Sequence, residues 1–168
     1  MDWNCKYITI LKNNRRIFLL YGEYKELRLR ILNTSDWEAV VLDRKLKLLI
    51  SDDSKLLRKK LRAELETLDC EVIEAENGKE AILKEMNEKP DGVILDIVMP
   101  EVGGIEALQV IREVSPEVPV VMLSSAGTPQ KLMQTLKMGA IDFIQKPYTS
   151  EQIKKAVEQI RKRVAKNG

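Results

Sequence analysis

Hydrophobic and polar positions follow two different rhythms along the chain, and the change falls near residue 45. Before it, short apolar runs are separated by turn residues. Tyr7 to Leu11 is followed by Asn13-Asn14, Ile17 to Tyr21 by Gly22, and Leu27 to Leu32 by Asn33 to Asp36, with Trp37 to Leu42 closing the segment. Leu27, Leu29 and Ile31 alternate with Arg28 and Arg30, the two-residue period of a strand with one wet face. The pattern predicts a small antiparallel β module over residues 1–45. Four strands of that size bury little surface, so the module is expected to pack on the rest of the chain or on a partner chain.

From residue 46 onward strand and helix patterns alternate. Leu48-Leu49-Ile50 is a compact apolar run, and Leu57, Leu61, Leu65 and Leu68 then recur at helical spacing. The unit repeats with Glu71 to Glu74 and a helix from about 78 to 88, Val93-Ile94-Leu95 and a helix from about 105 to 114, and Val118 to Leu123 and a helix from about 129 to 138. A fifth strand, Ile141 to Ile144, precedes a helix carrying Ile153, Val157, Ile160 and Val164. Five βα units over residues 46–168 predict an α/β fold, a doubly wound five-stranded parallel sheet with helices on both faces. The near-continuous apolar runs of its first, third and fourth strands suit strands buried on both sides. Met99, Met122, Met133 and Met138 read as packing residues.

Charge and composition sharpen this division. Residues 1–46 hold nine Lys and Arg against six Asp and Glu, a net +3, whereas residues 47–168 hold 19 against 20. Six of the eight aromatics lie in the first segment and only Phe143 and Tyr148 in the second. Charged residues interrupt every apolar run well short of the roughly 20 residues a membrane helix needs. With no readable secretory signal either, the expected location is cytoplasmic, away from membranes. Cys5 and Cys70 are far apart and lack CxxC or histidine partners, so they read as reduced and structural. The chain contains no histidine, which excludes Ser-His and Cys-His nucleophilic pairs and histidine-ligated metal sites. Carboxylate, lysine and hydroxyl remain, the groups that serve hard cations and phosphoryl chemistry.

In a doubly wound sheet the carboxyl ends of the strands collect the functional groups. Asp52 and Asp53 follow the first strand of the second module, Asp96 ends the third, Ser124 and Ser125 follow the fourth, and Lys146 follows the fifth. Three converging acids repel one another unless a cation neutralises them, so the cluster predicts a divalent metal, magnesium or manganese given oxygen ligands alone. Asp52 taken singly reads as a helix cap and Lys146 singly as a solvated lysine, but together they favour a site.

At these residues the chain resembles a known family. The runs LLISDDSKLLRKKL, VILDIVMPEVGGIEAL, VVMLSSAG and GAIDFIQKPYT resemble, in order and spacing, the signature segments of response-regulator receiver domains over about residues 46–166. The resemblance implies that Asp96 is the phosphoacceptor of a two-component system, and that Asp52, Asp53, Asp96 and the backbone carbonyl of Val98 hold Mg²⁺. It implies that Lys146 and Ser124 contact phosphoryl oxygens, that Ser124 and Phe143 form the switch, and that Pro147 follows a cis peptide. A histidine kinase or phosphotransfer protein would be the donor, and a downstream target protein would read the face made by the fourth helix, fifth strand and fifth helix. Such a domain is not an enzyme beyond its own phosphorylation and dephosphorylation. The stretch VVMLSSAGTPQKLMQTLKMGAIDFIQKPY is especially similar to chemotaxis receivers.

Three departures from the family pattern carry expectations. Gly103 stands where an acidic residue is frequent, and Phe143 where tyrosine is frequent. Val98 and Ala126 cannot orient a hydrolytic water by hydrogen bonding, so self-dephosphorylation is expected to be slow. A haloacid-dehalogenase-like phosphatase would need a second acid two residues after its nucleophile, where this chain has Val98, and that reading is disfavoured. With only Asn167-Gly168 after about residue 166, a single-domain messenger is expected rather than a C-terminal output domain. The alternative is a receiver regulating its N-terminal sheet. Residues 1–45 read as a packing or homodimerisation surface in preference to an RNA-binding sheet.

Overall fold

The computed structural model describes residues 6–12, 15–21, 45–125 and 128–167. The chain divides into two units, Met1–Asp43 and Arg44–Gly168. In the first, β1 (Lys6–Lys12) pairs antiparallel with β2 (Arg15–Tyr21), Lys6 opposite Tyr21 and Lys12 opposite Arg15. The strands expected over 27–32 and 37–42 lie outside the described residues, as does Cys5.

The second unit alternates β3 (Leu46–Ser51), α1 (Lys55–Thr67), β4 (Cys70–Ala75), α2 (Gly78–Glu88), β5 (Gly92–Asp96), α3 (Gly104–Val114), β6 (Val120–Ser124), α4 (Pro129–Lys137), β7 (Asp142–Gln145) and α5 (Ser150–Asn167). All four strand pairings are parallel, in the order β4-β3-β5-β6-β7. The chain runs outward from β3 to β4, then crosses back to β5 and continues away, so the order reverses between β3 and β5. That reversal opens a crevice at the strand ends.

Both faces of the sheet are covered, and the two-residue period of the strands sorts the side chains between them. Leu48, Ile50, Ile94, Val121 and Leu123 pack with Leu61 and Leu65 of α1 and with Ile153, Val157 and Ile160 of α5. Leu49, Val93, Leu95, Val120 and Met122 face the other way, onto Ala81 of α2 and Ala107, Leu108 and Ile111 of α3. Cys70 is a buried free thiol in the first of these cores. Among the described residues no helix is long and apolar enough to cross a membrane.

Two details differ from the periodicity. The strand expected from Val118 begins instead at Val120, because Pro119 has no N–H to give the ladder; its carbonyl still accepts from the Val93 N–H at 2.9 Å. Met122 is fully buried, and Met99 and Met138 pack against the core formed with α2 and α3, but Met133 on α4 is 53% exposed and packs far less than expected. Thr135 is the buried side chain of that short helix.

Candidate functional site

Because the strands are parallel, the residues that end them share one rim. Ser54 caps α1, its side chain accepting from the Leu57 N–H, and this leaves Asp52 and Asp53 in the turn between β3 and α1. Asp52 is buried and Asp53 exposed. Asp96 is the last residue of β5 and is buried; Ser124 is the last of β6 and is fully buried. Lys146 directly follows β7. Of the adjacent pair Ser124 and Ser125, the latter is exposed.

Lys146 ties the rim together. Its ammonium donates to Asp52 Oδ2 at 2.5 Å and lies 3.0 Å from Asp96 Oδ2, while its backbone N–H donates to the Ser124 carbonyl at 2.8 Å. Asp52 Oδ1 accepts from the Ser54 N–H at 2.8 Å, which fixes the direction of that carboxylate. Asp96 Oδ1 is buried and has no hydrogen-bond partner. Burial pushes the Asp96 carboxyl above the ordinary range; the Lys146 ammonium pulls it back, and Asp52 adds a smaller upward push. Repulsion between acids, which the sequence reading put first, therefore ranks behind desolvation at this residue.

Asp52, Asp53 and Asp96 each bring one carboxylate oxygen within 4.8 Å of the others. Three carboxylate oxygens, from two buried acids and one exposed, make a hard donor set that fits Mg²⁺, and the unpartnered Oδ1 of Asp96 belongs to one of those acids. Val98 lies in the loop after β5 with its side chain 50% exposed. Phe143, on β7, is partly buried against the core that includes α2 and α3. The Lys146-Pro147 peptide is cis. Ala126 lies outside the described residues.

One residue at the site was not singled out in the sequence. Arg58 is 3% exposed. Its guanidinium donates to the Asp52 carbonyl at 2.7 Å and, at a longer 3.4 Å, to the Asp53 carbonyl. The signal was available in the spacing: positions 58, 61, 65 and 68 form one helical stripe, and three of them are leucine. A charge on an apolar stripe must find partners where it is buried.

The response regulator receiver domain family matches residues 48–158. The chain is 42% identical over 118 residues to a chemotaxis protein CheY of Listeria monocytogenes, an overlap of 70% of this chain and 99% of that one. It is 43% identical over 105 residues to a protein-glutamate methylesterase/protein-glutamine glutaminase of Archaeoglobus fulgidus, covering 61% of this chain and 30% of that protein. Among solved structures, it is similar to the CheX-CheY-BeF3-Mg²⁺ complex of Borrelia burgdorferi, with 32% identity, a TM-score of 0.68, and coverage of 71% of this chain and 91% of that one.

Proposed function

The chain belongs to the response regulator receiver domain family, the phosphoacceptor domains of two-component signalling, and on that premise we propose that Asp96 is the residue that takes the phosphoryl group. The observation that carries this reading is the Asp96 Oδ1 atom, buried and without a hydrogen-bond partner beside a lysine and two further acids at the crevice of the sheet.

A carboxylate is a weak nucleophile, but transfer of a phosphoryl group demands positioning and charge stabilisation more than a strong base. Asp96 is held at the end of a buried strand, so little reorganisation precedes attack. A bond forms between an Asp96 carboxylate oxygen and phosphorus as the donor's bond to phosphorus breaks, leaving an acyl phosphate on Asp96. Lys146 carries the cation that a phosphoryl oxygen attracts, and the Ser124 hydroxyl offers a hydrogen bond to another. Asp52, Asp53, Asp96 and the Val98 carbonyl are the ligand set for Mg²⁺, with Mn²⁺ as the alternative; such an ion, when bound, supplies neutralisation of the charge on the phosphoryl oxygens. The acyl phosphate adds about −1.5 to −2 charge at the rim. Ser124 and Phe143 are the residues that convert this into a changed surface over α4, β7 and α5.

A histidine kinase or phosphotransfer protein supplies the phosphoryl group in this reading, within the cytoplasm, and a downstream protein reads the result. In this reading residues 1–45 are a separate β module that precedes in sequence a receiver over 46–168, supported by the division between Asp43 and Arg44. Incubation of the full chain with acetyl phosphate and Mg²⁺ should add one phosphoryl group by intact mass, and Asp96→Asn should abolish the adduct. An adduct that survives this substitution would place the acceptor elsewhere.

A further inference from the structure

We propose that Arg58 is a positioning residue for the acidic pair that receives the cation; the role rests on the receiver reading above. Asp53 has an exposed side chain, so its place at the rim is set by its backbone, and the carbonyl of that backbone accepts from Arg58. The guanidinium is a planar fork of five donors. Nη1 faces the Asp52 and Asp53 carbonyls, at 2.7 and 3.4 Å. The remaining donors face acids: Nε meets Glu74 Oε2 at 3.2 Å and Nη2 meets Glu76 Oε1 at 2.5 Å. One side chain on the first turn of α1 thus anchors the acidic turn to β4 and to the residue that follows it.

The pairing with two acids has an electrostatic consequence. An unneutralised guanidinium beneath the carboxylates would repel an incoming divalent ion. Glu74 and Glu76 offset that charge, so Arg58 offers its donors to the turn without opposing the cation. Glu74 is itself shared, since Arg62 Nε donates to its other oxygen. Arg58 gives its donors to main-chain carbonyls and to Glu74 and Glu76, and acts through the turn that carries Asp52 and Asp53, as residues behind metal ligands commonly do.

The test uses the full chain and Mg²⁺ alone, followed by calorimetry without any phosphodonor. Arg58→Met is expected to weaken Mg²⁺ binding about tenfold or more. Arg58→Lys, which has a charge but no fork, should recover only part of the loss. Glu76→Gln, on a largely exposed side chain, should weaken binding less, by leaving Arg58 less neutralised; it and Arg58→Lys carry the test if Arg58→Met does not fold. With acetyl phosphate added, the Mg²⁺ concentration for half-maximal phosphorylation should rise in Arg58→Met while the rate at saturating Mg²⁺ returns to the wild-type range. A merely structural role would lower the rate equally at every Mg²⁺ concentration and leave the half-maximal point in place. Unchanged Mg²⁺ affinity in the folded Arg58 variants, with loss in Asp53→Ala, overturns the role of Arg58 and leaves the receiver reading intact. Absence of Mg²⁺ binding by the wild-type chain overturns both.

Discussion

Tyr148 packs its ring against the core built from α1, α5 and the sheet, with the Lys60 ammonium 5.9 Å from the ring centroid. Burial pushes its phenol up to about 12 from the ordinary 10.0, with smaller contributions from Glu64 and Asp52. An acid whose folded value is raised stays neutral longer in the folded chain than in the unfolded one. Below pH 10 both states are neutral and the phenol has no influence; between 10 and 12 the unfolded chain ionises first, so stability falls as pH rises through that window. Tyr148→Phe should flatten this part of the alkaline decline, by roughly 2 kcal/mol at the upper end. Urea unfolding of both proteins at intervals from pH 9 to 12 measures the difference. Parallel declines in the two proteins would mean that the phenol ionises as freely when folded as when unfolded.

Elements meet closely where α3 begins. Gly104 donates its N–H to the Ile97 carbonyl at 2.9 Å, and a Cβ there would fall 1.9 Å from the Asp96 carbonyl oxygen. Backbone cannot yield as a side chain can, so Gly104→Ala should cost about 3 kcal/mol, at the upper end of overpacking, and should slow phosphorylation by displacing Asp96. Gly103→Ala is the contrast: its Cβ would meet the mobile carboxylate of Glu106, and the variant should unfold within about 1 kcal/mol of wild type. Equal losses in the two would show that the close approach to Asp96 is not what fixes Gly104. The alternation of strands and helices was legible because Leu48 to Ile50 and Val93 to Leu95 are continuous apolar runs between amphipathic stretches. The rim residues were legible because a parallel sheet sends every strand end to one side. Arg58 was legible only in part: its place on the stripe of Leu61, Leu65 and Leu68 marks it for burial, but the carbonyls and carboxylates it meets there come from other segments of the chain and leave no mark in the spacing. The exposure of Met133 was likewise hidden, because methionine serves core and surface alike.

At the scale of the molecule, the two hydrophobic cores found among the described residues are built from residues between Leu46 and Val164, within the second unit. A chain beginning at Arg44 should therefore unfold in one cooperative transition and take the same phosphoryl adduct as the full chain, which calorimetry and intact mass together would establish. A broad, non-cooperative transition would mean that the second unit depends on residues before Arg44. Within that unit a single residue joins the ends of four strands: Lys146 continues β7, its N–H rests on the end of β6, and its ammonium spans the acid after β3 and the acid that closes β5. Viewed as a linkage, this is a bar hinged at one end and shared between two holders at the other. Negative charge added to one holder draws the bar from its neighbour while the hinge stays put. The rim then behaves as a balance: what Asp96 gains in hold on the ammonium, Asp52 gives up, and the exchange is delivered to the outermost strand along one side chain.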